Sequence, residues 1–107
     1  MNFSVSEDIK NDPKLGPRVN RASQILEQIV GPTANLVDAR WSHMPDARGR
    51  LPLVLALSDF TGAHVEERFE PDELVREGHL HNKFYRIWGD LLQDRSHKQL
   101  ELLQSGE

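Results

Sequence analysis

Leu51-Pro52-Leu53-Val54-Leu55-Ala56-Leu57-Ser58 is the stretch whose reading decides the fold. Its apolar run is far shorter than the ~20 residues a membrane-spanning helix needs, and it is rich in Leu and Val. Turn chemistry bounds it on both sides: Pro45-Asp46-Ala47-Arg48-Gly49 before it and Asp59-Phe60-Thr61-Gly62 after it. A short apolar run between two turn signals reads as a buried strand.

The segments on either side alternate with the period of two that a strand requires. In Asn35 to His43, Val37, Ala39 and Trp41 face one way and Asp38, Arg40 and Ser42 the other. In Ala63 to Phe69, Val65 and Phe69 oppose His64, Glu66 and Arg68. Two short connections predict an antiparallel meander with the apolar strand in the middle. Glu67 falls on the apolar side by strict alternation. Burial without a partner would be too costly, so it is expected at the rim of the sheet, hydrogen-bonded or solvated.

Helices flank the strands. Pro17 suits a first helical turn, Val19, Ala22, Ile25, Leu26, Ile29 and Val30 recur at helical spacing, and Gly31-Pro32 closes the segment. Pro71-Asp72-Glu73-Leu74 starts a short helix that Gly78 ends. From about His79 a longer helix carries Leu80, Phe84, Ile87, Trp88, Leu91 and Leu92 as one stripe. Ser96 with Gln99 matches a capping box, so the C-terminal region is either one helix or two, with Leu100 and Leu103 adding to the apolar stripe. The reading is an α+β fold: an N-terminal helix, a three-stranded antiparallel meander, then two or three C-terminal helices packed on one sheet face. Residues 1–16 read as an arm with scattered apolar side chains, and residues 17–107 as a single domain.

The middle strand is apolar on both sides, because Val54 and Ala56 lie opposite Leu53, Leu55 and Leu57. A strand apolar on both sides is usually covered on both. The candidate interaction surface is therefore Arg40, Val54, Ala56, His64 and Arg68. Its cover would be the N-terminal arm, a second copy of the chain or another protein. Alternatively, the stems of Arg40 and Arg68 cover two small apolar residues and nothing docks.

The absence of cysteine excludes a disulfide framework, a thiolate nucleophile and a cysteine-ligated zinc site. It fits a cytosolic protein, and the polar, acidic start of the chain is not a secretory signal. Residues 1–53 hold seven Lys/Arg and six Asp/Glu, and residues 54–107 hold six and eleven. The acidic second half disfavours non-specific nucleic-acid binding.

No catalytic or metal-binding pattern emerges. His79 and His81 point about 200° apart on a helix and cannot chelate together. His43, His64 and His97 stand alone. Glu66, Glu67, Glu70, Asp72, Glu73 and Glu77 lack calcium-loop spacing and read as a solvated strand end leading into a helix start. Asp90 and Asp94, with Arg86 and Arg95, read as a salt-bridged helix face. There is no nucleophile elbow and no phosphate-binding glycine loop. Trp41 and Trp88 read as core.

The order helix, three strands, helix is similar in outline to the double-stranded-RNA-binding domain. That likeness is of element order alone, since Gly78-His79-Leu80-His81-Asn82-Lys83 has one lysine where the family has a lysine-rich helix start. These features predict a small non-catalytic interaction module without cofactors. Its partner would be another protein or a second copy of itself, and neither a membrane nor nucleic acid is expected. The alternatives are a nucleic-acid or regulatory binder using Arg18, Arg21, Arg40, Arg48 and Arg50, and a small enzyme whose groups converge only in three dimensions around His64, Glu66 or Glu67.

Overall fold

A computed structural model describes residues 1–43 and 52–105, the side chains at 33–35 and 105 excepted. The expected turn at Pro45 to Gly49, and with it Arg48 and Arg50, lies outside the described residues.

The fold is α+β, built on a four-stranded mixed sheet: β1 (Asn2–Val5), β2 (Val37–His43), β3 (Leu53–Asp59) and β4 (His64–Phe69), in that spatial order. β2, β3 and β4 form the antiparallel meander expected from the alternation, with Trp41 opposite Leu55 and Leu55 opposite Glu67. The stretch that decided the fold is thus flanked by a neighbour on each side.

The sheet is four-stranded, not three-stranded, and the stretch read as an arm supplies the added strand ahead of the expected first helix. Asn2 to Val5 adds a parallel strand beside β2, with Phe3 opposite Ala39 and Val5 opposite Trp41. A parallel neighbour requires a crossover connection. Here that connection is α1 (Glu7–Lys10), α2 (Leu15–Val30) and a 3-10 turn over Gly31–Leu36. Asp12 starts α2, its carboxylate accepting the Lys14 and Leu15 amides at 2.8 and 2.9 Å. Those two bonds, Leu15's first, hold its pKa below the usual aspartate value.

At the other end, a 3-10 turn over Pro71–Val75 leads into one continuous helix, α3 (Glu77–Ser105). Glu70 caps the turn: its side chain takes an amide of the turn while Glu73 bonds the Glu70 amide. Ser96 starts no separate helix. Its hydroxyl donates back to the Leu92 carbonyl at 3.2 Å, a bond that helical backbone accommodates.

α2 and α3 share one face of the sheet. The core between them holds Val19, Ile25 and Leu26 from α2, Trp41, Leu55 and Phe69 from the strands, and Leu80, Phe84, Ile87 and Leu91 from α3. Three aromatic rings form a chain through it, Trp41 to Phe69 at 5.4 Å and Phe69 to Phe84 at 5.6 Å, both tilted. Such pairs add to the area they bury. Trp41 is fully buried and its indole N–H donates to Ser23 Oγ at 3.0 Å, so no polar hydrogen is stranded. Ile9 of α1 is also fully buried, tying the crossover into the core.

The β3–β4 hairpin turns at Gly62, whose φ of +86° favours glycine. Asp59 organises the turn, its carboxylate accepting the Thr61 amide at 2.9 Å and the Thr61 hydroxyl at 2.6 Å. Gly62→Ala would place a Cβ in open space, so strain alone sets its effect. We expect a loss of about 1 kcal/mol in urea unfolding. A neutral outcome would mean that the turn relaxes.

Candidate functional site

β4 is an edge strand, yet both ends of its outer rim are occupied. The Asp59 amide donates to the Ala63 carbonyl, which fixes the phase of the ladder. His64, Glu66 and Arg68 consequently turn their backbone groups away from β3. α3 covers both ends of that rim. Asp94 accepts the His64 amide at 2.9 Å, and the Lys83 ammonium donates to the Arg68 carbonyl at 2.5 Å. Between them Arg86 pairs with Glu67 at 2.6 Å. Glu67 therefore sits at the rim, paired, as its place in the alternation required. Lys83 also pairs with Glu73 at 2.9 Å and lies 4.2 Å from the centre of the Phe69 ring. Burial pushes the Glu73 carboxyl up, but bonds from Lys83 and the Glu70 amide, with the Lys83 charge, outweigh it and leave the pKa lowered.

The second face of the sheet brings the sequence-predicted surface together. Arg40 is opposite Ala56, Val54 opposite Arg68, and Ser58 opposite His64. Val54 and Ala56 are half-buried, while Arg40, His64 and Arg68 are exposed. The N-terminal arm does not cover this face. It extends the sheet sideways and points Phe3 and Val5 to the helix-covered side.

A shallow depression of about 450 Å³ lies on the second face, lined among others by Asp38, Arg40, Ser58, His64 and Glu66. His64 Nε2 is 3.3 Å from Glu66. Ser58 and His64 are cross-strand partners, but no hydrogen bond joins them. Glu67 is on the other side of the sheet, while His64 and Glu66 share this depression with Asp38, Arg40 and Ser58.

The remaining candidates separate as well. Arg18 reaches the Pro71 carbonyl at 3.5 Å and Arg21 pairs with Glu77 at 3.0 Å, both on the helical layer, whereas Arg40 lies on the opposite sheet face. His79 pairs with Glu73 at 3.5 Å and His81 Nδ1 lies 2.8 Å from the Glu77 carbonyl. Asp90 and Asp94 do not form the expected salt-bridged face, because Arg86 turns to Glu67 and Arg95 to Asp59. Among the described residues, no three His, Asp or Glu side chains are grouped to hold a metal ion. No helix among them is long and apolar enough to cross a membrane.

One apolar surface was not anticipated. The core stripe of α3 is Leu80, Phe84, Ile87 and Leu91, and it ends there. Leu92, Leu100 and Leu103 do not extend it. They line up with Tyr85 on a different face, at steps of three and four residues through Gly89 and Ser96. Tyr85 is 59% exposed, Leu100 54% and Leu103 73%. Among the described residues, no apolar side chain of α3 beyond Leu91 is buried. The sequence signal was available: the next positions of the core stripe are Asp94, Arg95 and Lys98, all charged.

Comparison of the chain with protein-family models, with curated proteins and with solved structures returned no match.

Proposed function

We propose that this chain is a non-catalytic protein-interaction module that self-associates through the exposed stripe of α3. The observation that carries this reading is the set Tyr85, Leu92, Leu100 and Leu103, large apolar side chains exposed on one face of α3. Scattered exposed leucines are ordinary, but a contiguous apolar stripe is the mark of an interface.

The stripe is self-complementary. In an antiparallel pair related by a two-fold axis near Asp94, Leu92 of one copy meets Ser96 of the other, and Tyr85 meets Leu103. Large residues then oppose small ones at the centre, the knobs-into-holes condition for close helix packing. A Cβ at Gly89 would meet nothing within 4 Å, so this part of the face is open to a partner. The stripe is ~27 Å long and ~10 Å wide, about 300 Å² per copy. That places the association at the weak, reversible end of protein interfaces.

Sedimentation equilibrium across roughly 10–500 μM should show a concentration-dependent dimer. Leu100→Glu combined with Leu103→Glu should weaken it at least about tenfold while unfolding stability stays within about 0.5 kcal/mol, since neither side chain is buried. A strict monomer across that range would remove the proposal.

A further inference from the structure

We propose that the free edge of β1 and the adjoining face of α2 form a groove that accepts an extended peptide segment from a partner protein as a fifth strand. The two edges of the sheet are treated differently. β4 has an outward backbone group at each end taken, the His64 amide by Asp94 and the Arg68 carbonyl by Lys83. β1 has no such cover.

The Ser6 amide donates to the Trp41 carbonyl, and in a parallel ladder this phase turns Asn2 and Ser4 toward β2. Phe3 and Val5 therefore direct their N–H and C=O outward, and no group among the described residues meets them. Unpaired strand edges of this kind recruit another strand.

The shape beside the edge suits a strand with side chains. Two adjoining depressions of about 520 and 590 Å³ run along β1, sharing Phe3, Asn20 and Ser23. They extend from Gly16 and Pro17 at one end of α2 to Gly31 at the other. That span is ~22 Å of helix, which matches about seven residues of extended chain. Phe3 and Val5 point to this side of the sheet yet remain only half-buried, because no further strand continues the layer. An added strand would bring its inward side chains against them, and against Val19 and the exposed Asn20.

Charge sets the direction. Lys10 stands at the Val5 end and has no ion-pair partner among the described residues, while Glu27 stands at the Met1 end, 3.8 Å from the terminal amine. The centre is neutral, lined by Asn20, Ser23 and Gln24. The fitting occupant is an antiparallel segment with alternating apolar residues, acidic toward its start and basic toward its end. This surface shares no residue with the α3 stripe, so either proposal can fail without the other.

The probe is a blocked peptide of about seven residues, alternating valine and threonine between a first aspartate and a last lysine. A second peptide carries N-methyl groups that remove its alternate backbone donors. With the intact chain labelled for NMR, about 1 mM of the first peptide should slow exchange of the Phe3 and Val5 amides by roughly tenfold or more. The methylated peptide should not. Val5→Pro removes only an outward N–H and Asn20→Trp fills the groove from an exposed site, so both should fold and both should lose the effect. No slowing with the first peptide, or equal slowing with the second, overturns the proposal. So does concentration-dependent protection of these amides without peptide, which would make a second copy the occupant.

Discussion

Trp41→Ala will lower unfolding free energy by about 4 kcal/mol, a large share of the total for a domain of this size. Trp41 is fully buried at the centre of the sheet, between Leu55 of β3 and Val5 of β1, and its ring begins the aromatic chain to Phe69 and Phe84. Truncation opens a cavity bounded by regular elements on every side, so little collapse can refill it. It also strands the Ser23 hydroxyl, which is buried and accepts the indole N–H. Trp41→Phe separates the two effects: it keeps most of the volume and should cost about 1–2 kcal/mol. Chemical denaturation followed by circular dichroism measures both, and equal losses for the two variants would contradict the division.

Asp59→Ala should cost about 3 kcal/mol, from the opposite kind of interaction. The Asp59 carboxylate is fully buried and meets Arg95 Nε at 2.5 Å, while also accepting the Thr61 amide and hydroxyl and the Ala63 amide. Removing it leaves a guanidinium that is only 19% exposed, held between the Phe60 and Trp88 rings with no counter-charge. Burial raises the Asp59 pKa, but bonds from Thr61 and Arg95 more than offset it and the net shift is downward from 3.8. A depressed folded-state pKa means that the unfolded chain binds the proton more readily in acid. The pair's contribution is therefore complete above the unfolded value near 4 and is lost as pH falls through the lower folded value. The destabilisation by Asp59→Ala should be full at neutral pH and shrink toward pH ~2. A destabilisation independent of pH would show that the effect does not depend on the ionisation of the carboxylate.

The meander was legible in sequence because its signals are local. Val37, Ala39 and Trp41 alternate cleanly, and Asp59 to Gly62 contains the residues a tight turn uses. α2 was legible because Val19 through Val30 repeat over about three turns before Gly31-Pro32. β1 was not read, although Phe3 and Val5 do alternate with Asn2 and Ser4. A four-residue strand has too few periods to stand out, and it pairs with a segment more than thirty residues away. Its partner could not be found without the crossover geometry.

α3 was over-read in the other direction. Leu92 lies one residue, and so about 100° of helix, from Leu91. Treating both as core hid the point at which the stripe runs into Asp94, Arg95 and Lys98 and the helix leaves the body. Of the candidate surface, the juxtaposition of Arg40, Val54, Ala56, His64 and Arg68 followed directly from strand alternation. The groove beside β1 could not follow from the same reasoning, because it depends on the strand that was missed.

The capping of β4 by Asp94 and Lys83 has a consequence for how the chain fails. Both caps belong to the helix that also roofs the core, so fraying of α3 would unmask the β4 rim while β1 is already bare. A molecule with two bare rims on opposite ends of one sheet can join to its neighbours without limit, since nothing in such stacking closes on itself. Mild heat or acid that loosens α3 before the sheet should therefore yield filaments instead of soluble unfolded chain.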